Sequence, residues 1–97
     1  MTTIDTEEKV REIIKATEKA KQKFLEEEIK EFDVFENENG IDFGAIFWNK
    51  KNTKKLVVKI IWSKSTKKLF KCIVSSEKHQ LVNTIDYNSV IACINNN

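Results

Sequence analysis

The chain has 97 residues without internal repetition, which is one domain's worth of polypeptide, and we expect a single α+β domain over residues 1–97. Hydrophobic residues make up 40% and charged residues 33%, with two Trp, six Phe and one Tyr, enough for one modest core and too much for a disordered chain. No apolar run approaches the roughly 20 residues of a membrane span, and the start MTTIDTEEK is polar and acidic where a signal peptide is basic and then apolar, so the expectation is a soluble, intracellular protein.

Residues 6 to about 31 carry helical periodicity, with Val10, Ile13, Ile14, Thr17, Ala20, Phe24, Leu25 and Ile29 on one half of the circumference. Asp5 is the expected N-cap, with Glu8 three residues on and further acids in the first turn, where the helix dipole favours them. The opposite face bears Lys15, Lys19 and Lys23, then Glu26, Glu27 and Glu28, a pattern read as solvated surface. After it, EFDVFENENG has the form of a short strand closing in a turn at Asn39-Gly40, a dipeptide that supplies positive φ readily.

Three runs rich in β-branched and aromatic residues follow: 41–48 (IDFGAIFW), 55–62 (KLVVKIIW) and 69–74 (LFKCIV). The polar, Lys-rich segments between them are of hairpin length, so the arrangement is an antiparallel meander of three to four strands with the long N-terminal helix packed on it. In the tail, Asp86 is placed to cap a short helix bearing Val90, Ile91 and Ile94, but HQLVNTI and SVIACI also fit an extra hairpin.

Alternation sorts the meander into two faces. Phe43, Ala45, Phe47, Leu56, Val58, Ile60, Trp62, Phe70, Cys72 and Val74 form an apolar side suited to the helix stripe. The other side holds Asp42, Gly44, Ile46, Trp48, Val57, Lys59, Ile61, Leu69, Lys71 and Ile73. Lysines in mid-strand are costly to bury unpaired, so this side is expected to meet water, an anion or a partner.

Charge is unevenly spread: residues 1–40 hold twelve acids and seven bases, and residues 41–97 hold ten lysines and three acids. A basic half suits an acidic partner or an acidic helix lying on a basic sheet. Only one of the 17 bases is Arg, whereas bidentate reading of phosphate or guanine recruits Arg. Lys50, Lys51, Lys54 and Lys55 belong to one end of the meander and Lys64, Lys67 and Lys68 to the other, with Lys59 and Lys71 between.

Catalytic chemistry finds little support. His79 is the sole histidine, and with Cys72 and Cys93 far apart it gives no set with metal-ligand spacing. Both cysteines lie in apolar stretches, which points to buried free thiols in a reducing compartment, cytoplasmic or nuclear. Ser75, Ser76, Glu77 and His79 are too close in sequence to be a triad, which draws on separate segments. With only Gly40 and Gly44, no phosphate-cradling loop can be built, so no cofactor and no small-molecule substrate is expected.

The expectation is therefore a non-enzymatic interaction or regulatory module, engaging a protein partner or a second copy through Ile46, Trp48, Val57, Lys59, Ile61, Lys71 and Ile73. The other reading is a sequence-tolerant nucleic-acid binder working through the loop lysines, with no membrane role in either case. In outline, a helix on an antiparallel meander resembles the cystatin-like architecture, and helix, three strands and helix resembles the double-stranded RNA-binding domain. The likeness is one of shape, because no QxVxG and no Lys-Lys-Ala-like helix start occurs, and shape does not carry function.

Overall fold

A computed structural model of the chain describes residues 3–24, 29–48, 55–76, 80–81 and 85–96. Helix α1 (Glu7–Lys21) is followed by strands β1 (Ile29–Glu36), β2 (Gly40–Trp48), β3 (Lys55–Ser63), β4 (Lys68–Ser76) and the two-residue β5 (Gln80–Leu81), and helix α2 (Tyr87–Asn95) ends the chain. The strands form one antiparallel sheet in chain order, β1-β2-β3-β4-β5. This is the α+β arrangement expected, and the tail contributes both the short helix and a vestigial strand.

The helix begins one residue later than expected and stops about ten residues earlier. Thr6 is the N-cap, its hydroxyl accepting from the Lys9 amide at 3.3 Å, while the Asp5 carboxylate pairs with the Lys9 ammonium at 2.8 Å. At the other end the amides of Gln22, Lys23 and Phe24 donate three residues back, to Lys19, Ala20 and Lys21, and this tightening turns the chain out of the helix. A helix running to residue 31 would be about 38 Å long, overshooting strands of nine residues, which span about 30 Å. Ending it at Lys21 lets Phe24 fold against the core, its ring 5.5 Å from Phe47, and frees Ile29–Glu36 to pair with β2.

Val10, Ile13, Thr17 and Ala20 of α1 are buried, the Thr17 hydroxyl being satisfied by the Ile13 carbonyl at 2.8 Å, and Lys15, Lys19 and Lys23 are exposed as expected. The buried stripe meets Ile41, Phe43, Ala45 and Phe47 of β2, Leu56, Val58, Ile60 and Trp62 of β3, and Cys72 and Val74 of β4. Val90, Cys93 and Ile94 of α2 join the same cluster, so both helices lie on one face of the sheet. Ile4 seals the junction, buried, with its amide donating to the Ile85 carbonyl at 3.0 Å.

Phe70 departs from its expected place in the core: it is 70% exposed. The pairing of β3 with β4 runs Ile60–Cys72 and Ile61–Lys71 and then Trp62–Leu69, which leaves Phe70 as the extra residue of a β-bulge. One inserted residue reverses the parity of all that precedes it, so Leu69, expected on the far side, packs against the core and Phe70 is turned out. The β3–β4 turn carries the one described non-glycine residue with positive φ, Lys67 at 54°.

The turn before β2 is also built differently from the expectation. Asn37 closes it, its amide donating to the Gly40 carbonyl and its side-chain oxygen accepting from the amides of Asn39 and Gly40 at 2.8 and 3.1 Å. Neither Asn39 nor Gly40 has positive φ. Gly40 is required instead by close approach, since a Cβ there would stand 2.2 Å from the Trp62 carbonyl oxygen.

Candidate interaction surface

Strand alternation places Glu31, Asp33 and Phe35 of β1 on the side of the sheet away from the helices, with Asp42, Gly44, Ile46 and Trp48 of β2. Lys55, Val57, Lys59, Ile61 and Ser63 of β3 share that side, as do Lys68, Lys71, Ile73 and Ser75 of β4. Among the described residues no element packs over it: both helices are on the opposite face, and α2 with Val90, Ile91 and Ile94 supplies no cover here. The seven residues expected to bind a partner, Ile46, Trp48, Val57, Lys59, Ile61, Lys71 and Ile73, lie together on this face, because their parity is unaffected by the bulge.

Its apolar content is half-buried along the centre, where Ile46 sits opposite Val57, with Ile61, Ile73 and Trp48 around them. At the end formed by the β1–β2 and β3–β4 turns stand two strongly exposed aromatics, Phe35 at 69% and Phe70 at 70%. A hollow of about 510 Å³ lies between them, floored by Asp42, Ile61 and Ser63. A second, of about 490 Å³, opens where Gly44 contributes no side chain, bounded by Glu31, Asp33, Phe35, Asp42, Ile46, Val57 and Lys59.

Charge on the face divides by hairpin. The β1–β2 hairpin presents Glu31, Asp33 and Asp42, and the β3–β4 hairpin presents Lys55, Lys59, Lys68 and Lys71. Lys59 resolves the cost of a mid-strand ammonium by reaching diagonally over Gly44 to the Asp42 carboxylate at 2.9 Å, both groups staying in contact with water. Lys71 is exposed.

Among the described residues, the loop lysines are divided between the two sides of the sheet. Lys64 turns toward the helix side and pairs with Glu36 at 2.6 Å; Arg11 of α1 holds the same carboxylate at 2.8 Å and Glu7 at 3.2 Å. These partners draw the Glu36 carboxyl down to about 2, the Arg11 hydrogen bond first and that of Lys64 second. Lys67 borders a small hollow with Thr6, Glu7, Trp62 and Lys64 at the start of α1, away from the open face. Lys50, Lys51 and Lys54 lie outside the described residues, as do Glu77 and His79.

Sequence reasoning passed over Glu31, Asp33 and Phe35, although the alternation of EFDVFE carried the signal once Phe32 and Val34 are set toward the core side. Among the described residues no group of three or more His, Cys, Asp or Glu is arranged to hold a metal ion, and no helix is long and apolar enough to cross a membrane. Neither cysteine is in a disulfide, and both are buried. Burial pushes the Cys72 thiol up to about 11 and raises that of Cys93, the latter opposed in part by its 3.7 Å hydrogen bond to the Ser76 hydroxyl. Both environments disfavour the thiolate. Comparison with protein-family models, with curated proteins and with solved structures finds no match to this chain.

Proposed function

We propose that this protein is a small non-enzymatic interaction module that binds a protein partner through the open face of its sheet. The observation that carries this reading is an apolar, aromatic-flanked surface, with Phe35 and Phe70 at 69% and 70% exposure, on a face that neither helix covers. Contiguous exposed apolar area of this kind is a contact surface in small proteins, and its large side chains carry most of the binding energy. The nucleic-acid reading draws less support, since three carboxylates share the face with the lysines, Lys59 is committed to Asp42, and Lys64 to Glu36.

The test is affinity purification from the native host with the wild type, Trp48→Ala and Phe35→Ser, each checked for fold by circular dichroism, with and without nuclease. We expect a nuclease-resistant protein partner that both variants lose and that Lys19→Ala, on the solvated helix face, retains. Equal recovery by all four proteins would refute a binding role for this face, and a complex abolished by nuclease and by modest salt would favour nucleic acid instead.

A further inference from the structure

Among the described residues, β1 is the long unpaired edge of the sheet. It runs eight residues in continuous register with β2 and has no strand on its outer side. The opposite edge is blunted, since β5 has two residues and β4 is interrupted by the bulge at Phe70. The β1–β2 hairpin closes with the Asn37 amide donating to the Gly40 carbonyl, so hydrogen-bonded pairs with β2 recur at Phe35, Asp33 and Glu31. The backbone N–H and C=O groups of Phe32 and Val34, which alternate with these, therefore point away from the sheet.

Two adjacent residues of this edge are apolar and exposed on opposite sides of the sheet: Val34 at 44% on the helix side and Phe35 at 69% on the open side. A partner docked on either face would cover one of them and leave the other in water. A strand laid beside β1 covers both and takes up the outward backbone groups between them. We infer that β1 is a strand-addition site, whose occupant is an extended basic and apolar segment of another protein, paired antiparallel to residues 31–35. This site uses the strand edge, and the open-face docking proposed above does not depend on it.

Charge sets the partner's pattern. Glu31 and Asp33 are exposed on the open side, and among the described residues neither has a salt bridge. In the added ladder they fall at non-hydrogen-bonded pairs, where facing side chains are closest, so a Lys or Arg of the partner stands opposite each. Phe32 and Val34 face apolar residues on the helix side, and Phe35 faces one on the open side. Read along the partner strand, the sequence is apolar, apolar, basic, apolar, basic. The same carboxylates disfavour a second copy as occupant. The two antiparallel β1–β1 registers that align the outward backbone groups over all but one of the eight residues set Asp33 against Asp33, or Glu31 against Asp33 twice.

The probe is a synthetic peptide, acetylated and amidated, of sequence Thr-Val-Val-Lys-Val-Lys-Thr, titrated into the full chain and followed by amide NMR. We expect a Kd of about 10 to 100 µM, with hydrogen exchange slowed chiefly at the Phe32 and Val34 amides. N-methylation of the second and third valines, whose amides face β1, should weaken binding by more than about tenfold, and methylation of the lysine amides, which face away, by less than about threefold. Glu31→Lys with Asp33→Lys should also cost more than about tenfold. Val34→Pro should abolish binding with the fold, checked by circular dichroism, retained, because this amide has no partner in β2; if that variant unfolds, the methylated peptides decide. Trp48→Ala, on the open face, should bind the peptide as wild type does, and an equal loss there would assign the peptide to that face and overturn the edge site. No binding at about 1 mM, tolerance of the valine methyl groups, or unchanged affinity in the charge-reversed or folded Val34→Pro protein would each overturn it as well.

Discussion

Gly40 and Gly44 lie four residues apart in β2, and the structure assigns them opposite responses to the same added methyl group. At Gly40 a Cβ would come within 2.2 Å of the Trp62 carbonyl oxygen and 3.3 Å of its carbon, both backbone atoms of β3. No rotamer change can relieve a clash with backbone, so Gly40→Ala must push β2 from β3 by about 1 Å or more at this end, beside the buried pair Ile41 and Trp62. Overpacking of this kind costs about 1 to 3 kcal/mol, and for a domain of this size each kcal/mol lowers Tm by about 4 to 8 °C. At Gly44 the nearest atoms to an added Cβ are Cδ and Nζ of Lys59 at 3.8 and 3.9 Å, ordinary contact with the end of a flexible side chain. Gly44→Ala should therefore stabilise by about 0.4 to 1 kcal/mol by restricting the unfolded chain. Urea and thermal denaturation, followed by circular dichroism and Trp fluorescence, measure both. A Gly40→Ala protein as stable as wild type, or a Gly44→Ala protein as damaged as Gly40→Ala, would refute the strand geometry on which the argument rests.

Three further outcomes are expected. Ile60→Ala, which empties a fully buried site, should cost about 2 to 5 kcal/mol in urea titration, whereas Phe70→Ser on the bulge should cost less than about 0.5; a large loss at Phe70 would place it in the core after all. Native protein should react with iodoacetamide at Cys72 and Cys93 far more slowly at pH 8 than urea-unfolded protein, because both thiols are buried and raised above their ordinary range, and equal rates would contradict that burial. The Glu36 carboxyl, lowered from 4.5 to about 2, contributes stability that is fully present above pH 4.5 and is lost as pH falls toward 2; in Glu36→Gln this part of the acid dependence should be absent, and an unchanged acid limb in denaturant titrations from pH 5 to 2 would show the network to be inert.

Much of this fold is legible in the residues themselves. A period of two in 41–48 and 55–62 commits those segments to strands with one apolar side, and a period of 3.6 from Val10 to Ala20 commits a helix to cover it. Short Lys-rich connections leave neighbouring strands no arrangement but an antiparallel meander. For the same reason the residues of β2 and β3 proposed for interaction, with Lys71 and Ile73, lie on one surface: parity along a strand is local, and every second side chain shares a face whatever the rest of the molecule does.

What the tertiary structure decided are the points where a distant segment outbids a local preference. The helical pattern continues past Lys21, yet Ile29–Glu36 is extended because β2 offers it a full ladder of hydrogen bonds and Phe43 offers Phe32 a ring 5.2 Å away. Phe70 and Leu69 exchange faces because β4 must insert one residue to stay paired with β3, a mismatch that neither strand shows alone. Gly40 serves close approach to Trp62, 22 residues away, where its sequence context suggested a turn of positive φ. The separation of acidic and basic hairpins on the open face arises the same way, since facing direction is local to each strand, but which strands stand side by side, and at which register, is settled only when the sheet closes its hydrogen bonds over the core.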